Sequence, residues 1–131
     1  MPTLNGVIAD LVVGDDLQVT RTIENLAASV LLTKAWLTFL AEEDDVDADK
    51  IFQKIITIAD VPGTGQITEA GTGTPPARTG KVRFDLTKVD TLKLLPGKVY
   101  FYDIQVELDS ADDSTPETGT CVPNKQRTRV S

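Results

Sequence analysis

The chain has 131 residues, 40% apolar and 25% charged, a composition typical of one globular domain that can bury a core without disulfides. Its 20 acidic and 13 basic residues give a net charge of -7, which disfavours a nucleic-acid partner because the chain would repel a phosphate backbone. With no histidine, one cysteine and no apolar run near the ~20 residues of a membrane helix, the sequence predicts no zinc site, internal disulfide or membrane partner.

The N-terminal third predicts three strands. The first residues lack the basic and apolar parts of a secretory signal, so we expect synthesis in a cytoplasm. Residues 7–13 and 17–23 read as two strands on either side of a Gly-Asp-Asp turn. Residues 24–32 are compatible with one helical turn, but their short length favours a loop. Residues 34–41 are apolar on both faces, which predicts a strand in the middle of a two-layer structure, with Trp36 in the core.

An acidic run follows, with six carboxylates between residues 42 and 49. Aspartates at alternate positions resemble a calcium loop, but Lys50 and Ile56 stand where such a loop needs glycine and glutamate. We therefore predict a solvated loop with one helical turn at residues 47–50, and binding of a divalent cation is the open alternative.

The middle of the chain predicts a strand and then a flexible loop. Residues 51–58 contain enough β-branched side chains to favour a strand, although the spacing of their isoleucines also fits a helix. Residues 62–80 contain five glycines and three prolines, which predicts a flexible loop with at most a short strand at residues 66–68. These glycines lack the other positions of a nucleotide-binding loop, so no cofactor is predicted.

The clearest strands lie in the C-terminal half. Residues 81–86 alternate between apolar and polar side chains, as do residues 100–108. Between them, Thr87 and Asp90 form a capping-box-like pair that predicts a short helix, ending at residue 94 or 95 before Pro96. The side chains predicted to mark the core are Trp36, Phe39, Phe52, Phe84, Leu86, Tyr100, Tyr102, Ile104 and Val106.

The C-terminal residues predict a polar turn and then a basic arm. Residues 110–119 are polar, and residues 120–122 and 126–130 predict a last strand or a broken pair, with Cys121 as a small strand residue. Residues 123–131 predict an exposed arm, or alternatively one that docks on an acidic neighbour. The candidate assembly contacts of such an arm are Lys125, Arg127 and Arg129.

Seven to nine short strands separated by turns predict a single all-β sandwich over residues 1–131, with one short helix between two strands. We predict neither enzymatic activity nor a metal or cofactor site, because the sequence offers no convincing pair of acid and base groups.

Several segments occur in an order found in one family. They include VTRTI at residues 19–23, KAWLTF at 34–39, DKIFQK at 49–54, and the stretch from LTKVDT at 86–91 to YDIQV at 102–106. Together they resemble the immunoglobulin-like domain of tailed-bacteriophage baseplate upper proteins, over nearly the whole chain. The resemblance implies an immunoglobulin-like β-sandwich that serves in virion assembly and has no catalytic residues.

The expected function is therefore that of a structural protein in a tailed-phage or prophage virion, made in the host cytoplasm. The resemblance implies a baseplate or tail position and a homo-oligomer that packs against other virion proteins. Head decoration and a neck adaptor are alternatives. A carbohydrate- or receptor-binding module is a third alternative from another class, and it would need an exposed aromatic platform.

Overall fold

The computed structural model describes residues 4–42, 50–110 and 113–125, and within them the chain forms eight strands and one short helix. In chain order these are β1 (Leu4–Ile8), β2 (Leu17–Ile23), β3 (Leu32–Leu40), β4 (Phe52–Ile56), β5 (Gly65–Thr72), β6 (Thr79–Leu86), α1 (Lys88–Thr91), β7 (Tyr100–Leu108) and β8 (Asp113–Cys121). None of the described helical residues forms a helix long and apolar enough to cross a membrane.

The strands form two sheets that enclose one core. One sheet has five strands in the order β1-β8-β7-β3-β4, and the other has three in the order β2-β6-β5. β1 pairs with β8 in parallel, whereas the other paired strands are antiparallel. Helix α1 follows the three-stranded sheet and leads into the five-stranded one. The predicted all-β sandwich with one short helix between two strands is confirmed.

The core forms against β7, which lies between β3 and β8 in the larger sheet. Its alternating side chains are buried on one face and half-buried on the other, over the residues that the sequence predicted. Phe39 stacks on Phe52 and Tyr102, with ring centres 4.6 and 6.0 Å apart. The predicted core residues that lie in this cluster are Phe39, Phe52, Phe84, Leu86, Tyr100, Tyr102, Ile104 and Val106.

Trp36 is the exception, and its predicted place in the core is wrong. Its neighbours Ala35 and Leu37 are fully buried in the core, so alternation along β3 turns Trp36 to the outer face of the five-stranded sheet. There it is half-buried, and Lys34 Nζ lies 5.2 Å from its ring centre. The run of apolar residues in β3 concealed this alternation in the sequence.

Two strands occupy segments that the sequence predicted as loops. β5 lies within residues 62–80, where Ile67 is buried, and β8 covers most of residues 110–119. Both strands contain glycine, threonine or serine at positions where a hydrophobic pattern would need apolar residues, so the sequence does not reveal them. They are held in place by pairing with β6 and β7. The possible short strand predicted at residues 66–68 lies within β5, which extends beyond it in both directions, whereas the polar turn predicted over residues 110–119 is wrong.

Some predictions fall outside the described residues. The predicted helical turn and most of the acidic run lie there, as do Arg127 and Arg129. Lys125 is described and exposed. At the N-terminus, the first strand lies at Leu4–Ile8 rather than at residues 7–13.

Candidate functional site

One end of the sandwich carries a group of exposed apolar side chains. It is built from the segment between β6 and β7 and from the residues after β8, which are joined by a hydrogen bond from Gly97 N to Pro123 O at 2.9 Å. The exposed fractions are 66, 59, 63, 48 and 45% respectively for Val89, Leu92, Leu95, Val99 and Val122. We call these five residues the apolar end.

The local sequence turns these side chains outward. Thr87 caps α1, since its backbone N–H donates to Asp90 Oδ2 at 2.8 Å and its hydroxyl accepts from Asp90 N at 3.4 Å. The predicted capping box is thus confirmed, although the α-helix ends at Thr91, earlier than predicted. With Asp90 and Thr91 buried, Val89 and Leu92 are left three positions apart on the exposed side.

A turn then returns the chain to β7. Gly97 has a φ of 79°, a conformation that glycine adopts without steric cost, and Leu95 N donates to Tyr100 Oη at 2.8 Å. Tyr100 pairs with Cys121, so continuing this register by one residue brings Val99 towards Val122. The apolar end is therefore one surface assembled from two parts of the chain.

Three lysines, Lys93, Lys98 and Lys125, accompany the apolar end, and all three are exposed. None of them forms an ion pair with another residue in the described part of the chain. Lys98 Nζ lies 5.3 Å from the ring centre of Tyr100. On the side of the loop between β1 and β2, Asp15 and Asp16 are exposed and Asp16 Oδ1 accepts from Lys88 N at 2.7 Å, so this end of the sandwich carries charges of both signs.

Polar contacts fix the position of α1 beneath this surface. Lys54 Nζ lies 2.6 Å from Asp90 Oδ2, and Thr91 Oγ1 accepts from Gly14 N at 3.0 Å. Burial alone would raise the pKa of Asp90, but hydrogen bonds from Lys54 and from the amide and hydroxyl of Thr87 together hold that pKa below its usual value. These contacts hold α1, and with it the part of the apolar end that α1 carries, in a fixed position.

A second polar cluster links the two sheets. Glu117 on β8 accepts hydrogen bonds from the hydroxyl of Tyr102 and from Nε of Arg21, which lies 3.0 and 3.1 Å from its two carboxylate oxygens. Burial and the neighbouring Glu117 raise the pKa of Tyr102, although Arg21 opposes this shift. A hydroxyl that stays protonated and donates to a carboxylate acts here as a structural contact.

Sequence reasoning missed this cluster. Tyr102 was predicted to be a core residue, Arg21 only a strand residue, and Glu117 part of a polar turn. Gly6 and Gly119 make room for it, because a Cβ at either position would lie within 2.7 Å of the Tyr102 hydroxyl oxygen. The signal that could have revealed this cluster is the glycine two residues after Glu117, because a glycine within a strand suggests a close approach of two strands.

The outer face of the five-stranded sheet holds a groove of about 460 Å³. Side chains that line it include Asn5, Leu40, Phe101, Asp103, Thr118 and Thr120. Phe101 is half-buried, and Trp36 lies on the same face of the sheet. Aromatic and polar side chains therefore share this face.

Cys121 is buried in β8, and burial raises its pKa to about 11. Over residues 4–42, 50–110 and 113–125, no group of three or more potential metal-binding side chains comes together. No model of a protein family matches the chain, and no curated protein is significantly similar to it.

Proposed function

We propose that the chain is a structural component of a tailed-phage or prophage virion, at the baseplate or tail. In this role it packs against other virion proteins and copies of itself in a homo-oligomer. Two features support the proposal: the segments that resemble the baseplate family, and an all-β sandwich with an exposed apolar surface at one end.

The apolar end is the observation that carries the proposal. Five large apolar side chains, each at least 45% exposed, lie in two short segments that are hydrogen-bonded together. Each contributes about 25 cal/mol for every square ångström that a partner removes from water. Because clustered apolar exposure is typical of interaction sites, packing against another protein is the use that best fits this surface.

Head decoration and a neck adaptor would use the same surface in a different place. The copy number separates these positions, because tail and baseplate parts follow rotational symmetries of roughly 3 to 12 copies, whereas a head carries hundreds. We place the chain at the tail or baseplate because the resemblance is to a baseplate protein.

Quantitative mass spectrometry of purified particles tests the proposal. The particles are released from a bacterium whose phage or prophage encodes the chain. We expect the chain at a fixed ratio to the other tail proteins, corresponding to roughly 3 to 12 copies. A ratio of hundreds would move the chain to the head, and its absence from the particles would contradict a virion role.

A carbohydrate- or receptor-binding role is the second candidate, and the position of Trp36 favours it. Trp36 and Phe101 lie on one outer face, where polar side chains accompany them. Aromatic rings beside hydrogen-bonding groups suit the apolar and hydroxyl faces of a sugar. A glycan array with the purified chain tests this role. Binding should be lost in Trp36→Ala and Phe101→Ala but kept in Ile58→Ala, an exposed apolar position beyond the end of β4.

A further inference from the structure

Charges of both signs border the apolar end. The exposed charged residues at this end of the sandwich include Lys88, Lys93, Lys98, Lys125, Asp10, Asp15, Asp16 and Glu42. The loop between β1 and β2, which carries the aspartates, packs against α1, where the hydroxyl of Thr91 donates to Asp15 O at 3.0 Å. Glu42 lies on the other side, because it follows β3, whose Leu40 pairs with Phe101 at the start of β7. This surface therefore offers both a cation and an anion to any charge that faces it.

We propose that the apolar end of one copy binds the apolar end of a second copy, in a contact with two-fold symmetry. In such a contact a surface meets itself, so it must be complementary to itself. Apolar side chains then meet apolar side chains, and the lysines of each copy face carboxylates of the other. This inference rests on the proposed function, since it names a second copy as the partner of the assembly surface.

The area of the apolar end fits a small, reversible pair. Its five side chains are on average about half exposed, which corresponds to about 300 Å² of apolar surface per copy. A pair would bury about 600 Å² of it, and because apolar atoms make up about 57% of an interface, the whole contact would cover about 1,000 Å². That area is at the lower limit for a specific interface, and the methylene groups of Lys93 and Lys98 add to it.

A second apolar end is the partner that covers the most apolar surface. The other large apolar side chains that are exposed in the described part of the chain are Val7, Leu31, Ile55, Ile58 and Val61. They belong to β1, to β4 and to two different connections between strands. None of these elements carries more than two of them, so contact with any one would leave part of the apolar end facing water.

A two-fold contact closes with two copies, because each copy uses its apolar end once. The pair is then the unit that enters the virion, and other surfaces hold it there. A chain that cannot pair would remain outside the particle as single copies.

Sedimentation velocity from about 1 µM to 1 mM protein tests the contact. The wild type should show monomer and dimer in an equilibrium that depends on concentration, with no larger species. Leu92→Asp and Leu95→Asp should each weaken the dimer at least about tenfold, because two carboxylates then enter an apolar contact. Ile58→Asp is the matched control, since Ile58 is 60% exposed outside the apolar end, and it should dimerise as the wild type does.

A charge-reversed variant tests the part that the lysines play. Lys93→Glu/Lys98→Glu places carboxylates where the pair needs cations, so we expect a dimer about tenfold weaker than that of the wild type. Lys34→Glu/Lys81→Glu changes the net charge equally at positions outside the apolar end and should leave the dimer unchanged. Circular dichroism and thermal melting show whether each variant is folded.

Chemical cross-linking tests the two-fold symmetry. In a two-fold contact every position of a small surface lies near its own copy, so a flexible bismaleimide should join Leu95→Cys to itself as a covalent dimer. Ile58→Cys should stay monomeric, and so should the wild type, because Cys121 is buried. A contact between two different surfaces would not bring the new cysteines together.

Several results would overturn the proposal. One is a wild type that sediments as a monomer up to about 1 mM, and another is a wild type that forms species larger than a dimer. Dimers of normal strength in the Leu92→Asp, Leu95→Asp or Lys93→Glu/Lys98→Glu variants would also overturn it, as would a dimer that Leu95→Cys does not cross-link. The particle measurement fails independently, because a chain found in virions that does not pair keeps the proposed function and loses only this contact.

Discussion

Lys54 lies 2.6 Å from Asp90, and this ion pair joins the edge strand of the five-stranded sheet to the helix that follows the three-stranded sheet. Both side chains are largely buried, with exposed fractions of 13 and 10%. Asp90 also closes the capping box with Thr87. One carboxylate therefore starts α1 and anchors the segment that carries the apolar end.

We expect Asp90→Asn to lower the free energy of unfolding at pH 7 by about 1–3 kcal/mol. The folded-state pKa of Asp90 lies below the usual value of about 3.9, so its stabilisation is present above that value and is lost as the pH falls through the folded pKa. Urea titrations between about pH 7 and pH 2 should therefore show that the difference in free energy of unfolding between the wild type and Asp90→Asn, here called the gap, becomes smaller as the pH falls. A gap that stays constant over this range would contradict the assignment.

Tyr102 gives a prediction at the opposite end of the pH scale. Its pKa is raised above the usual value of about 10, so the stability that it confers is present below pH 10 and declines as the pH rises further. Tyr102→Phe should cost about 1–2 kcal/mol at pH 7, and Tyr102→Ala about 3–5 kcal/mol. The free energy of unfolding, measured by denaturation from about pH 8 to pH 11, should fall at alkaline pH in the wild type and fall less in Tyr102→Phe. An equal fall in both proteins would show that ionisation of Tyr102 does not cause it.

The glycine beside this cluster should tolerate no side chain. A Cβ at Gly119 would lie 2.2 Å from the backbone oxygen of Gly6, which cannot move without breaking the pairing of β1 with β8. We expect Gly119→Ala to cost about 3 kcal/mol or more. Gly97→Ala is the matched control, because no atom lies near its Cβ position and only its positive φ is strained, at about 1–2 kcal/mol. Thermal melts that ranked the two variants in the reverse order would contradict the packing of β1 against β8.

Cys121 should react slowly with a thiol reagent in the folded protein. Burial raises its pKa to about 11, so little thiolate forms near neutral pH. We expect the reaction with a chromogenic disulfide to be at least about a hundredfold slower in the native protein than in denaturant. A native rate close to the denatured rate would place the thiol at the surface.

The sequence predicted the sandwich where side-chain alternation was visible. Strand β7 has the predicted bounds, and Thr87 with Asp90 predicted the start of the helix correctly. Both signals are local, since one is a period of two along a strand and the other a pair of side chains three positions apart.

The elements that were missed depend on distant parts of the chain. β5 and β8 contain few large apolar residues and are held in place by pairing with β6 and β7. Trp36 faces outward because Ala35 and Leu37, on either side of it, are buried in the core. The apolar end requires both α1 and the residues after β8, so no single stretch of sequence indicates it. Lys125 was identified as a candidate contact from its charge, and its apolar neighbours were not.

The central claim is that the chain assembles into a virion through its apolar end. Complementation in a bacterium whose phage or prophage lacks a working copy of the gene tests it most directly. Leu92→Asp and Leu95→Asp alter exposed side chains of the apolar end, and Ile58→Asp is a control at an equally exposed apolar position elsewhere.

All three variants should melt within a few degrees of the wild type, because exposed substitutions change stability by about 0.5 kcal/mol or less. We predict that the wild type and Ile58→Asp restore infectious particles that contain the chain, whereas Leu92→Asp and Leu95→Asp lower the yield by about tenfold or more and leave the folded chain outside the particles. Full yield and normal incorporation of Leu92→Asp and Leu95→Asp would contradict the claim.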